Sequence, residues 1–392
     1  MQMKNVELRP IIKMTNTGRQ TLDPLFFELI RVAIGNAGCL SHTPTTAEWN
    51  ALYAMVKEQS LVGICFAGVQ RLQQQSQCPP EQLYLQWMGM AAKVQQRNEV
   101  VSRRCKDVLD IVRKAGLRAF LMKGQCNGAL YSIKDEGLRI NDLPKLRQSG
   151  DIDIYVDGGR EKVLEFVQRT APTSTINEIE LEYRCFEDAD VDMHYALPKM
   201  RHPFRNRKLN AYLLSWIEAN YTNHRSIAAG VQVPCPVLEY DVVFQLEHVY
   251  GHFIGRGVGL RQIMDFYFLL QSAPAGYDYE AVKKGVEDIG LTKFACGLMW
   301  VLNHIFGISM INVPWVPNER DGKFLLQEIL GSGNFGSANE KMHGVTTNLL
   351  KRAWVLNVNA YRYWRFDHWA WFWSPLWRLY YFVWKRSRGY QG

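Results

Sequence analysis

Apolar residues recur at three- and four-residue intervals over two long stretches of the chain, and between those stretches the spacing shortens to two. Residues 22–115 follow the longer period. In AEWNALYAMVKEQSLVGICFAGVQRL (47–72), Trp49, Leu52, Met55 and Val56 fall near helical spacing, behind Thr45 and Thr46 as N-cap candidates. SQCPPEQ (76–82) predicts a turn. The run 82–116 contains no Pro and ends on Lys114 and Gly116, a helix stop.

After Gly116 the period changes. LRAFLMKG (117–124) is a short apolar run ending in Gly, the pattern of a buried strand feeding a helix at 125–132. A polar, Pro-containing loop (132–150) leads into DIDIYV (151–156), where acidic and apolar side chains alternate as on a strand. GGREKVLEFVQRT (158–170) predicts a helix opened by Gly. IELEYRCFEDADVDMHYAL (179–197) predicts a hairpin turning at EDAD (187–190). From 205 to about 310 the helical period returns. It is clearest over 238–273, with a break at Gly255-Arg256-Gly257, and continues near 279–288 and 291–307. Residues 315–341 are linker-like at both ends, and 344–392 are basic and aromatic throughout. The pattern divides the chain into an N-terminal helical region (1–115), an α/β core (116–200), a second helical region (201–314) and a linker with a basic aromatic tail (315–392).

Composition changes this picture in three places. The 392 residues are 47% hydrophobic, enough for a substantial core spread over two or three structural units. The net charge of +8 is concentrated at one end: residues 351–392 hold eight Lys and Arg against Asp367 alone. The other 350 residues carry 38 basic against 37 acidic side chains. A near-neutral body gives no general nucleic-acid-binding surface, so nucleic acid is not an expected partner. Seven of the twelve Trp lie within 354–392, interleaved with Arg and Lys. A helix packed on the body, a membrane-surface contact and a protein contact all stay open for that tail. The eight cysteines stand singly with no C-x-x-C pair, and are expected as reduced thiols. MQMKNVELRPIIKM at the start is interrupted by charge, and no stretch reaches about 18 consecutive apolar residues. The expected location is cytoplasmic, with the tail allowing a peripheral position at a membrane.

The candidate chemistry lies in the two-residue pattern. Asp151 and Asp153, at i and i+2 on a strand, point to one face with their Cβ atoms within about 7 Å. Two hard oxygen donors that close suit Mg²⁺, which keeps waters and substrate phosphates as its other ligands. Ser149-Gly150 precede the pair, and Gly150 lets backbone approach a phosphate. Asp192, on the next acidic strand, would supply a third carboxylate to a two-metal site. His194 shares its face. His248 and His252 lie four apart on one helical face, but no H-E-x-x-H glutamate accompanies them. Lining a cleft with Arg261 and Asp265, or a buried polar network, suits them better than zinc.

These residues resemble the DNA polymerase β-like nucleotidyltransferase superfamily, and more closely the bacterial family described only as uncharacterised nucleotidyltransferases. The resemblance rests on the helix around Trp49, LMKG (121–124), R-x-S-G-D-I-D-I (147–154), VDMHYAL (191–197), and LEHVYGH followed by GLRQIMD (246–265). It covers much of residues 25–310. It implies an α+β fold, with a small mixed sheet flanked by N- and C-terminal helical regions. It also implies transfer of an NMP group from ATP or another NTP to an unidentified acceptor, with pyrophosphate released. Asp151, Asp153 and Asp192 would hold Mg²⁺ or Mn²⁺, and Asp192 has the alternative role of taking the acceptor's proton. Lys123-Gly124 stand where the superfamily has Gly-Ser, and the spacing from Gly124 to Asp151 is longer than usual. Lys123 offers a point charge to phosphate instead. Arg147 and Ser149 are candidate triphosphate contacts, with Arg139 and Lys145 behind them. The alternative is a catalytically inactive nucleotide-binding or interaction module on the same fold.

Overall fold

The computed structural model describes residues 16–131, 143–171, 175–255, 257–274, 276–307, 313–332 and 363–387. Four helices open it: α1 (Asn16–Ala33), α2 (Thr46–Glu58), α3 (Val62–Leu72) and α4 (Glu81–Lys114). Thr45 caps α2 through a capping box: Glu48 N–H donates to Thr45 Oγ1 at 3.3 Å, and Thr45 N–H to the Glu48 carboxylate at 2.7 Å. The apolar run 47–72 forms two helices rather than one. The chain turns at Ser60, whose φ of 56° lies in the left-handed region. Trp87 on α4 is fully buried and donates its indole N–H to the Val62 carbonyl at 2.9 Å, which fixes α3 against α4.

The sheet follows. It contains β1 (Ala119–Leu121), β2 (Ile152–Val156), β3 (Glu180–Glu182) and β4 (Val191–His194), in the order β1-β2-β4-β3. β1 runs antiparallel to β2, β2 parallel to β4, and β4 antiparallel to β3. This is the small mixed sheet of an α+β fold, with helices before and after it. Single-turn helices α5 (Gln125–Gly128) and α6 (Leu143–Leu146) precede β2, and α7 (Gly159–Thr170) follows it. Arg139 lies outside the described residues.

The two-residue period separates the faces of the sheet. Ile152, Ile154, Val156, Leu181, Val191 and Met193 pack with the second half of α4 and with Val163, Phe166 and Val167 of α7 in one core. Phe120 and Tyr155 turn the other way and join a larger core with the helical regions. α4 contributes Leu83, Trp87 and Ala91 to the larger core and Val101, Cys105, Val108 and Val112 to the smaller. At 34 residues it is about 50 Å long, and it ties the two cores together.

Beyond β4 come α8 (Pro203–Thr222), α9 (Leu238–Gly255), α10 (Leu260–Gln271), α11 (Tyr279–Asp288), α12 (Thr292–Phe306), α13 (Glu319–Ser332) and α14 (His368–Ser387). Between α8 and α9 a hairpin, β5 (His224–Ala228) and β6 (Val231–Pro234), interrupts the helical region where the sequence pattern predicts none. The expectation of reduced thiols also fails at one pair. Cys126 and Cys235, 109 residues apart, form a disulfide between α5 and the end of β6, while the other six cysteines are free. Spacing along the chain carries no sign of such a contact. No helix among the described residues is long and apolar enough to cross a membrane.

Candidate active site

The polar ends of β2 and β4 meet on the face that Phe120 and Tyr155 share. Parallel pairing sets Asp153 opposite Asp192 and Tyr155 opposite His194. On β3, Glu180 pairs with His194 and Glu182 with Asp192, so four acidic residues and a histidine crowd one side of the sheet. Asp151, one residue before β2, completes the group. Ligand oxygens of Asp151, Asp153 and Asp192 all lie within 4.8 Å of one another.

Asp153 is the most enclosed of the three. Lys123 Nζ lies 2.9 Å from its Oδ1, and His194 Nε2 lies 3.1 Å from the same oxygen. Burial opposes its charge, but Lys123 and His194 outweigh burial and hold the carboxyl well below the usual carboxylate range. β1 delivers Lys123: Met122 N–H donates to the Asp153 carbonyl at 2.9 Å, so the lysine follows directly beyond the paired strand. Burial alone would lower the ammonium's proton affinity, and Asp153 reverses that. Gly124 then turns the chain at φ +63°, where a Cβ would lie 3.7 Å from the Asp151 carbonyl oxygen.

Asp192 is in the opposite state. Burial, then Asp153, Glu180 and Asp151, push its carboxyl up to about 7. Asp151 is exposed, and the Asp153 charge raises it. This excess of negative charge in one small volume is what a hard divalent cation relieves. The all-oxygen donor set fits Mg²⁺ or Mn²⁺.

A family model described as an uncharacterised nucleotidyltransferase matches residues 45–307, a span that includes all three carboxylates, Lys123 and the helices α2 to α12. The chain belongs to this nucleotidyltransferase family. No curated protein matches it.

The remaining predicted site residues fall into two groups. His248, on α9, stands near Lys123, Asp153 and His194. Burial, Lys123 and His252 push its protonation well below the ordinary range, against the pull of Asp153. Its ring meets His252 edge-on at 4.4 Å. The two histidines join no group of three metal-ligating residues among the described residues. Gly150 is exposed, and the Ser149 hydroxyl beside it is buried with no hydrogen-bond partner. Arg261 Nη1 donates to the Gln148 carbonyl at 2.8 Å, holding the same loop.

Arg147 and Asp265 are placed otherwise than expected. Arg147 Nε and Nη2 bond the two oxygens of Asp265 at 2.6 and 2.7 Å, and Tyr131 adds its hydroxyl at 2.7 Å. Both charged residues are buried. The guanidinium fork expected on a triphosphate is occupied by a carboxylate expected in a cleft. The pair instead anchors the segment leading into Asp151 onto α10.

Three carboxylates at or beside the site were missed from the sequence, Glu182 opposite Asp192 among them. Glu180 Oε2 lies 3.3 Å from His194 Nε2, so the histidine bridges it to Asp153. The alternation Glu180-Leu181-Glu182 was its signal, the same one that marked Asp151 and Asp153. Glu247 on α9 is buried, and burial pushes its carboxyl up to about 7, with Lys123 opposing. It gives no local signal, being one polar position in a helix buried nearly all round.

Proposed function

We propose that the chain transfers an NMP group from a nucleoside triphosphate to an acceptor hydroxyl and releases pyrophosphate, with Mg²⁺ or Mn²⁺ held by Asp151, Asp153 and Asp192. The observation that supports this reading is the strand register that sets Asp153 beside Asp192 with Asp151 at the strand entry, in a chain of a nucleotidyltransferase family. A divalent ion bound there supplies charge neutralisation for the triphosphate and for the oxygens entering and leaving phosphorus.

The protein's own groups divide the remaining work. The acceptor oxygen bonds the α-phosphorus as the bond to the pyrophosphate oxygen breaks, and Asp192 takes the hydroxyl proton. Lys123 supplies a second positive charge where the phosphates must lie. His194, held between Asp153 and Glu180, keeps the Asp153 carboxylate oriented.

The test is calorimetric titration of each NTP with and without Mg²⁺ or Mn²⁺, followed by incubation with α-labelled NTP and a cell extract. Binding should require the metal, should weaken at least tenfold in Asp151→Asn and Asp153→Asn, and should leave label on an acceptor. Metal-independent binding, unchanged in both variants, would overturn the proposal. Metal-dependent binding without labelled product would favour an inactive nucleotide-binding module instead.

A further inference from the structure

The C-terminal helix α14 is apolar on both faces. Trp373, Trp377, Tyr381 and Trp384 follow helical spacing along its inner side. Tyr381 donates to Asn177 Oδ1 at 3.2 Å, Arg201 lies over the Trp377 ring at 5.9 Å, and His202 packs on Trp373. Just before the helix, Phe366 is buried against Phe253, Phe294 and Phe324, and Asp367 takes Arg205 and the Tyr250 hydroxyl, each at 2.9 Å. The helix is therefore docked on the body, and its inner face is accounted for.

The outer face has few such contacts among the described residues, Trp369 meeting the His202 ring edge-on at 5.7 Å at its start. Trp369, Phe372, Leu376, Leu379 and Val383 recur at intervals of three and four residues and lie in one stripe, at 51, 50, 47, 62 and 56% exposure. A helix on a protein surface ordinarily turns polar residues outward. Here the only charged residues from 368 to the end of the chain are Arg378, Lys385, Arg386 and Arg388, all basic. Arg386 is exposed and caps the stripe, its guanidinium 5.1 Å from the Phe382 ring.

We infer that α14 is an interfacial helix that lays this stripe on the surface of an anionic lipid bilayer. The 20-residue helix, about 30 Å long, gives a line of apolar and aromatic side chains at the depth of the acyl boundary, with the exposed Arg386 at headgroup level. Charge complementarity selects the occupant. A second copy of this helix, with no acidic residue from 368 onward, offers Arg386 no partner of opposite charge, whereas anionic headgroups neutralise it. The inference is independent of the chemistry at the carboxylates.

Vesicle flotation of the full chain tests it, using phosphatidylcholine alone and phosphatidylcholine with one quarter phosphatidylglycerol, at low and high salt. The protein should float with the anionic vesicles at low salt and at least tenfold less with the neutral ones. Raised salt should weaken the binding. Phe372→Glu/Leu379→Glu should lower binding tenfold or more, with an unchanged far-ultraviolet spectrum. Val383→Ser, a milder change on the same exposed stripe, should lower it by a smaller factor and guards against misfolding of the double variant. Failure to float with either vesicle overturns the inference, as does a folded double variant that floats as well as the parent chain. A concentration-dependent mass in light scattering that the double variant abolishes, without vesicle binding, overturns it in favour of self-association.

Discussion

Arg147 has both arms of its guanidinium on Asp265, and neither residue has appreciable contact with water. Removing one partner of such a pair leaves a buried charge without compensation, which costs about 3–5 kcal/mol. Arg147→Ala and Asp265→Ala should each lower the unfolding free energy, measured in urea, by an amount of that order. The double variant should lose clearly less than the two losses combined, because the singles remove the same interaction. Any loss of NTP affinity in the folded Arg147→Ala protein should be matched by an equal loss of Mn²⁺ affinity, because the segment that Arg147 anchors carries Asp151. An NTP affinity loss of tenfold or more with little change in unfolding free energy would instead put Arg147 on the triphosphate. The contrast with Asp151 and Asp153 shows what sequence can convey at this scale. Their relation is local, two residues on one strand, and alternation displays it. Arg147 and Asp265 meet across 118 residues, and nothing in R-x-S-G or GLRQIMD marks an arginine as the partner of that aspartate.

At the scale of elements, the loop that leads into Asp151 is held from two sides. Asn98 on α4 donates to the Arg147 carbonyl at 2.6 Å, and α3 approaches so closely that a Cβ on Gly63 would lie 2.2 Å from the Leu146 carbonyl oxygen. Backbone cannot yield as a flexible side chain does, so Gly63→Ala should push the segment 146–151 away from α3. The expected cost is on the order of 1–3 kcal/mol. A calorimetric Mn²⁺ titration should show weakened binding alongside the lower melting temperature, since Asp151 and Asp153 move with the loop. Full-strength metal binding in a destabilised variant would show that the loop relaxes without disturbing the carboxylates. Most elements were legible because each follows a single clear period. The strand-helix-strand order around Asp153, the hairpin at 179–197 and the break after α9 all appear in the structure. The β5–β6 hairpin was missed. Its alternating residues are few and half polar, and they lie between long helices whose apolar period dominates any wider window.

Across the whole molecule, α9 connects the larger core to the charged face of the sheet. It is buried nearly all round in the larger core, yet it brings Glu247 and His248 up to the charged face of the sheet. The α+β architecture was readable from runs of apolar positions. The Cys126–Cys235 bond and the electrostatic load on α9 were not, because both arise only when distant segments pack. Glu247 makes that load measurable. Burial raises its carboxyl from 4.5 to about 7, so the folded protein holds a proton that the unfolded chain releases near pH 4.5. The stabilising contribution is therefore complete below about pH 4.5 and is lost as pH rises through about 7. A shift of that size corresponds to roughly 3 kcal/mol. Asp192, raised to about 7, and Asp241, raised to about 6, titrate over the same range with the same sign, so the total stability of the parent protein does not isolate this group. The difference between the parent and Glu247→Gln does, because glutamine keeps the shape and cannot ionise. Urea unfolding at pH 5 and pH 8 should show the variant gaining on the parent by about that amount as pH rises. Parallel pH profiles for the two proteins would mean that Glu247 meets enough water or positive charge, from Lys123 above all, to ionise without cost.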